Sequence, residues 1–165
     1  MLNKIKSFAK EILVFVVTLI IISNAISYYK SSDLNKDSLD IKTLTLIDGS
    51  TYNIPKNKAI LVHFWGTWCP VCKLEASNID AISKSYEVIT IAVDSKDNEN
   101  IKKYLKDNNV NFKVHNDTQS KIANNYNISV YPTSFIYDKN GKLVFTEVGY
   151  SSTLGLKLRM WWANL

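Results

Sequence analysis

Cysteine and histidine are scarce in this chain, which holds two of each. A structural zinc site normally needs four such ligands, and these four residues do not form a close cluster in the sequence. The sequence therefore argues against a fold built around structural zinc. Proline and glycine are also few, with three and five residues in 165, and that low content argues against long flexible linkers. The length and the apolar content instead fit one globular domain.

The chain also lacks any concentration of charge of one sign. The formal net charge is +5, but basic and acidic residues are interspersed, and no basic run alternates with aromatic residues. A nucleic-acid-binding surface normally shows such a basic patch, so we predict no nucleic-acid partner. The mildly basic balance does not point to an acidic partner either.

The one long apolar run lies at the N-terminus. Lys4, Lys6 and Lys10 precede an uncharged stretch from Ile12 to Tyr29, which is 18 residues long. About 20 apolar residues span a bilayer, and lysines before the span keep the N-terminus inside. The run is either a retained signal-anchor or a cleavable signal peptide cut after Ala25. We favour the anchor. Both interpretations predict a single-pass protein or exported domain, placed on the extracytoplasmic (periplasmic) side of the cytoplasmic membrane.

The two cysteines, Cys69 and Cys72, follow an apolar strand directly and open a segment of helical periodicity. Unpaired backbone N–H groups and the helix dipole favour a thiolate at a helix N-terminus. Cys-X-X-Cys settings lower a thiol pKa from about 8.5 to roughly 3.5–7.5. Cys72, one turn later, can attack a mixed disulfide on Cys69 and release the partner. The pattern therefore predicts thiol–disulfide exchange with Cys69 attacking, Cys72 resolving and no cofactor beyond their own disulfide. A purely structural disulfide is disfavoured, because so small a loop restrains the unfolded chain little.

Apolar periodicity and turn residues predict the remaining elements. Asp48-Gly49 and Asn140-Gly141 mark two hairpin turns. A strand–helix–strand order around the cysteines predicts a parallel pair with a right-handed crossover. Strands are expected at 41–46, 51–54, 59–65, 88–93, 112–115, 134–137 and 143–148, and helices from Cys69 onward and at 97–108, 118–126 and 154–165, the last being amphipathic.

The stretch Leu61–Cys72, with its Trp-Cys-Pro-Val-Cys end, resembles the active-site segment of thioredoxin-fold proteins. The resemblance is to the membrane-anchored TlpA/ResA-like thiol-disulfide oxidoreductases, and the tail Gly149–Ala163 looks like the C-terminus of their ScsD (suppressor of copper sensitivity) branch. It implies an α/β thioredoxin-like fold: a mixed central sheet flanked by helices, with an added N-terminal β-hairpin and one preceding transmembrane helix. The implied organisation is an anchor at 1–30, a tether at 31–40 and the domain at 41–165.

The same resemblance implies further site residues. Pro132 matches the cis-proline that packs against the cysteines, and Tyr131, Trp68 and Pro70 would line the substrate surface. A proline lacks an N–H, which leaves nearby backbone able to pair with an extended substrate chain. Glu75, three residues after Cys72, matches a glutamate implicated in proton transfer to the thiols.

His63 lies in the predicted central strand, six residues before Cys69. Burial should keep its ring neutral, so it is either a hydrogen-bonded core residue or an acceptor for the Cys72 proton. We include His63 among the candidate catalytic residues.

Three functional alternatives follow. The first is a reductase of exported proteins that a membrane redox partner recycles, and the second is an oxidant of exported thiols. The third is a copper-binding chaperone, because proteins of the Sco kind use two cysteines and a distant histidine, for which His115 is available. Their cysteines, however, are separated by three residues rather than two. A peroxidase is disfavoured because its Thr-X-X-Cys pattern is absent.

Overall fold

The computed structural model of the chain describes residues 2–37 and 39–165, and it excludes the side chains of residues 2–9, 20 and 23. Ser38 of the predicted tether lies outside the described residues, as do the side chains of Lys4 and Lys6 on which the export prediction draws. Five helices and seven strands lie within the described ranges: α1 (Leu2–Lys30), β1 (Thr43–Thr45), β2 (Thr51–Asn53), β3 (Ile60–Trp65), α2 (Pro70–Ser83), β4 (Glu87–Val93), α3 (Asn98–Asp107), β5 (Val114–Asp117), α4 (Lys121–Asn125), β6 (Thr133–Tyr137), β7 (Leu143–Val148) and α5 (Thr153–Ala163).

The central sheet has five strands in the order β5-β4-β3-β6-β7. The pairs β3–β4 and β4–β5 are parallel, and the pairs β3–β6 and β6–β7 are antiparallel. The central strand β3 is buried along its whole length, as its continuous apolar run predicts. The first two strands form a separate antiparallel hairpin. The thioredoxin-like fold with an added N-terminal hairpin is therefore confirmed.

Two hydrophobic clusters fill the two faces of the sheet. The first joins Leu61 and Trp65 of β3 to the buried side of α2 and α5, and the second gathers the alternate β3 residues Val62 and Phe64 with the hairpin. The cysteines belong to the first cluster. The active-site helix thus lies over one face of the sheet, above the odd-numbered residues of β3.

Two predicted elements were misplaced. The strand expected at 112–115 is Val114–Asp117, because those residues pair with Thr90–Val93 while Phe112 fills the core from the preceding loop. The helix expected at 118–126 is the shorter Lys121–Asn125. Ser120 adopts a left-handed φ of 53°, and the Asp117 carboxylate accepts the Ala123 N–H at 2.9 Å, so the helix begins only after that turn.

α1 is continuous, and its segment Lys10–Lys30 has the length and composition of a membrane span, with a mean hydropathy of 2.2. Its C-terminal end contacts the domain. The N–H of Val148 in β7 donates to Ser27 Oγ at 2.9 Å, and Arg159 of α5 reaches Asn24 Oδ1 at 3.5 Å. The segment after α1 also lies against the domain, since Leu34 is buried in the second cluster.

Candidate active site

Cys69 and Cys72 form a disulfide at the start of α2, with their Cα atoms 5.3 Å apart. The turn from β3 sets this position: the Cys69 N–H donates to the Gly66 carbonyl, and Cys69 is the N-cap residue of α2. Pro70 occupies the first turn, where its missing N–H removes no helical hydrogen bond. The Cys72 N–H donates to Cys69 Sγ at 3.2 Å. This donor already points at the atom on which a thiolate would form, so the geometry stabilises negative charge on Cys69.

The two cysteines differ in accessibility. Cys69 is 5% exposed and Cys72 is 2% exposed, and the exposed residues Trp68, Pro70 and Val71 surround them. Both thiols are thus nearly buried, and Cys69 is the slightly more exposed of the two. The attacking role of Cys69 and the resolving role of Cys72 stay predictions.

Glu75 lies one turn beyond Cys72 on α2 and is fully buried. Positions three residues apart share a helix face, so its carboxyl lies on the same side of α2 as the Cys72 thiol. Its Oε1 accepts the Ser151 N–H at 3.0 Å, whereas Oε2 is buried without a hydrogen-bond partner among the described residues. Burial raises the pKa of Glu75 to about 8, with a further upward push from Glu147. A carboxyl with this pKa can both give and take a proton near neutral pH.

An ion pair borders this buried carboxyl. Glu147 in β7 binds Arg159 of α5 at 2.6 Å, and both side chains are mostly buried. Burial raises the pKa of Glu147, and Arg159 opposes that shift. Neither residue was predicted as part of the site. Only the fold brings β7 and α5 next to α2, and no local sequence pattern marks the pair.

A row of polar residues crosses the sheet beneath α2. The register places Thr90, His63, Ser134 and Glu147 side by side on β4, β3, β6 and β7. His63 is 2% exposed, and its Nδ1 lies 2.8 Å from Ser134 Oγ. Burial lowers the pKa of His63 to about 3, so its ring is neutral, as predicted. So weak a base accepts a thiol proton poorly, which makes Glu75 the better-matched proton acceptor.

Trp68 forms one wall of the site. Its Nε1 donates to the Val93 carbonyl at 3.1 Å, and its ring meets that of Tyr131 edge to face, with centroids 5.4 Å apart. The indole lies directly on Gly66, where a Cβ would come within 2.6 Å of the ring. Glycine is thus needed at this position so that Trp68 can pack against the turn.

The Tyr131–Pro132 peptide bond is cis, as predicted, and Pro132 is buried. Its carbonyl accepts the Gly149 N–H at 2.8 Å, which ties the start of β6 to the end of β7. Tyr131 is half-buried and faces Trp68. The structure therefore brings Trp68 and Tyr131 together, and it places Pro70 on the exposed surface beside Cys69.

Apolar residues that the sequence reasoning did not single out complete the surface. Leu74 fits the helical spacing of α2 but is 71% exposed, two residues after Cys72, and Val71 and Tyr150 are exposed as well. Tyr150 is held by Asn78, whose Nδ2 donates to the Tyr150 hydroxyl at 3.0 Å. An apolar residue on the exposed side of α2 is the signal that could have identified Leu74. The cysteines thus lie within an apolar, exposed rim that suits an unfolded protein chain.

His115 lies on the other face of the sheet. It pairs in register with Ile91, which belongs to the second cluster, and its Nδ1 lies 2.7 Å from the Thr45 carbonyl oxygen. Within residues 2–37 and 39–165, no group of three or more histidine, cysteine or acidic side chains could hold a metal ion. This placement puts His115 and the cysteines on opposite faces of the sheet, so His115 does not form a site with them.

Comparisons with known proteins agree with this geometry. The model of the AhpC/TSA family matches residues 31–146. A thioredoxin-like protein of Haemophilus influenzae is 30% identical over 165 residues, which cover 98% of each chain. The thiol-disulfide oxidoreductase ResA of a Bacillus cereus strain is 29% identical over 148 residues, covering 81% of this chain and 86% of its own.

Solved structures share the fold of this chain. StoA from Bacillus subtilis superposes with a TM-score of 0.62 at 25% identity, covering 74% of this chain and 98% of its own. A secreted disulfide oxidoreductase of Mycobacterium tuberculosis, homologous to DsbE of E. coli, superposes with a TM-score of 0.63 at 25% identity. The match covers 72% of this chain and 92% of the other.

Proposed function

The chain belongs to the AhpC/TSA family of thioredoxin-like proteins, and from this premise we propose that it is a membrane-anchored reductase of disulfides in exported proteins. Its relatives are named thiol-disulfide oxidoreductases, and the alignment with them covers most of their length. The chain is therefore a thiol-disulfide oxidoreductase. The observation that carries the proposal is a Cys69–Cys72 pair at a helix N-terminus within an exposed apolar rim. The tail Gly149–Ala163 supports placing the chain in the ScsD branch.

The reaction is a pair of thiol–disulfide exchanges. The Cys69 thiolate attacks a substrate disulfide, so that a bond forms from Cys69 to one substrate sulfur and the other sulfur leaves as a thiolate. Cys72 then loses its proton and attacks Cys69 Sγ. The second substrate thiol leaves, and the Cys69–Cys72 disulfide is formed. Two electrons have passed to the substrate, so a membrane redox partner must supply two further electrons to reduce the Cys69–Cys72 disulfide again.

The surrounding residues divide this work. Trp68, Tyr131 and the backbone beside Pro132 hold an extended substrate chain against Cys69. Glu75 takes the proton of Cys72 as that thiol attacks, because its raised pKa matches the pH of the reaction. His63 is the second candidate acceptor, and its hydrogen bond to Ser134 also orders β3 beneath the cysteines.

Anchoring by α1 would place this chemistry outside the cytoplasm. The apolar span and the lysines before it support the orientation, and relatives described as a secreted oxidoreductase and as an exposed lipoprotein support the compartment. A cleaved signal peptide remains the alternative.

Labelling in spheroplasts tests both the side of the membrane and the direction of the reaction. A reductase is kept reduced by its partner, so we expect most Cys69 to be free and to react with a maleimide. A maleimide that cannot cross the cytoplasmic membrane should label spheroplasts as fully as a permeant one.

A pair found wholly as the disulfide would instead indicate an oxidant of exported thiols. Labelling by the permeant reagent alone would place the domain in the cytoplasm. The Cys69→Ser variant is the control, since it removes the thiol on which the signal depends.

A further inference from the structure

The last helix carries an unpartnered apolar surface. Its core face, Leu156, Met160 and Ala163, is buried as expected. The opposite face is apolar too, so the prediction of an ordinary amphipathic helix was wrong. We call this opposite face the apolar stripe, and its members are between 55% and 69% exposed: Leu154, Leu158, Trp161, Trp162 and Leu165.

The spacing of these residues makes the stripe continuous. Leu154, Leu158, Trp161 and Trp162 recur at intervals of three and four residues, which places them along one side of α5, and Leu165 follows just after the end of the helix. A helix that is apolar on both sides is normally buried on both, and a contiguous exposed apolar surface marks an interaction site. Single exposed apolar side chains are common on protein surfaces, but an aligned set that includes two adjacent tryptophans is not.

The contacts of α5 with α1 give the position of the stripe relative to a membrane. Crossing a bilayer takes about 20 residues, so the whole uncharged run to Tyr29 is needed to span it. Asn24 precedes Tyr29, the last residue of that run, by five residues, roughly 7–8 Å at about 1.5 Å per residue, so it lies inside the outer end of the span, just below the outer interface. Arg159 of α5 reaches Asn24. The helix that carries the stripe therefore lies at the end of the domain nearest the bilayer.

The chemistry of the stripe fits the outer interface, which lies just above that contact. Tryptophan is enriched at membrane–water interfaces, where its ring sits at the headgroup level. Lys157 is exposed on the same helix, and Lys139 lies beside the C-terminus, with its Nζ 3.1 Å from the Leu165 carbonyl oxygen. Basic groups beside an apolar face favour binding to anionic lipid.

We propose that the apolar stripe of α5 inserts into the outer interface of the membrane that α1 crosses. The inference rests on the proposed anchoring by α1, but not on the direction of the redox reaction. With α1 and α5 both fixed at the membrane, the domain has one orientation, and the rim around Cys69 is held at a constant height above the bilayer. Substrates and the membrane redox partner would then approach Cys69 from a defined side.

Tryptophan fluorescence tests the insertion directly, because Trp65, Trp68, Trp161 and Trp162 are the chain's four tryptophans and α1 has none. The full chain is reconstituted in vesicles containing anionic lipid, with bromine on the acyl chains near either the headgroup end or the methyl end. We expect bromine near the headgroups to quench a component of the emission more strongly than bromine near the methyl ends. That component should disappear in the Trp161→Phe/Trp162→Phe variant and persist in the matched Trp68→Phe variant.

Other occupants give different results. If a second copy covered the stripe, the two tryptophans would be shielded from brominated lipid and the protein would cross-link as a dimer, which would overturn the proposal. Loss of the quenched component in Trp68→Phe would place the active-site rim at the lipid instead and would also overturn it. Carbonate extraction of the same vesicles reports anchoring separately. A chain that resists extraction but shows no quenching contradicts only the docking of α5, whereas a chain that is extracted contradicts the anchor.

Discussion

The Cys72→Ser variant should accumulate mixed disulfides between Cys69 and its substrates. The first exchange needs only Cys69, so attack continues, but release depends on an intramolecular thiol one turn away. Well-placed intramolecular groups act at effective concentrations of about 10⁵ M or more, so removing Cys72 should slow release by several orders of magnitude. Mass spectrometry of the full chain in detergent, after mixing with a peptide disulfide, measures the trapped adduct.

The reverse variant provides the contrast. Cys69→Ser should form little adduct, because Cys72 is 2% exposed and lies behind the exposed surface. His115→Ala is the matched control, since His115 lies on the opposite face of the sheet and should leave both steps unchanged. Equal trapping on Cys72 in the Cys69→Ser variant would reverse the roles assigned to the two thiols.

Replacing Glu75 by glutamine should slow the resolving step by about 10²-fold or more, the lower end of what a positioned proton acceptor contributes. In the unmodified protein, the rate of resolution should rise as the pH passes through about 8, because the ionised carboxylate is the form that accepts the Cys72 proton. Glutamine cannot titrate, so this inflection should vanish. Stopped-flow mixing of the reduced chain with a fluorescent peptide disulfide resolves the step.

Two further variants test whether Glu75 or His63 accepts the Cys72 proton. Glu147→Gln removes a negative charge that helps raise the pKa of Glu75, so the inflection should move to lower pH while the maximal rate is kept. His63→Leu combined with Ser134→Ala removes both partners of the buried hydrogen bond and leaves no unpaired hydroxyl. If this pair slowed resolution as much as Glu75→Gln does, the proton acceptor would be His63 and our assignment would be wrong.

The same carboxyl makes stability depend on pH. Its folded pKa of about 8 lies above its ordinary value of 4.5, so the folded state binds the proton more tightly than the unfolded state does. The stability associated with Glu75 is complete below pH 4.5 and is lost as the pH rises through 8. The loss is about 4 kcal/mol at pH 8. Thermal melting of the oxidised chain in detergent should therefore decline less between pH 5 and 8 in Glu75→Gln.

Local patterns in the sequence were sufficient to predict much of the fold. The buried run of β3, the Asn140-Gly141 turn and the helix starting at Cys69 each depend on nearby residues, and all three occur as predicted. The errors at β5 and α4 come from backbone detail, such as the left-handed Ser120, that apolar periodicity does not encode. The start of α4 was predicted too early because a turn at Ser120 precedes the helix.

The candidate site divides in the same way. The cysteines, Trp68 and Pro132 belong to recognisable local motifs, and the structure places Trp68 against Tyr131, the residue before the cis-proline Pro132. The surroundings of Glu75 could not be predicted, because Ser151 and Glu147 are more than 70 residues away along the chain and meet it only through packing of β7 and α5. The sequence left Trp161 and Trp162 as either packing residues or a membrane-interface contact, because a helical apolar repeat does not reveal which of its faces the core will cover.

The reduction potential of the Cys69–Cys72 pair tests the central claim most directly. The full chain in detergent is equilibrated with thiol–disulfide buffers of defined potential, and the fraction of disulfide is measured by alkylation and mass spectrometry. We predict one reversible two-electron transition between about −270 and −120 mV, toward the reducing end, as for other exchange-active Cys-X-X-Cys proteins. A pair that stays oxidised below about −300 mV would behave as a structural disulfide and would contradict the assignment of Cys69 and Cys72 as a redox centre.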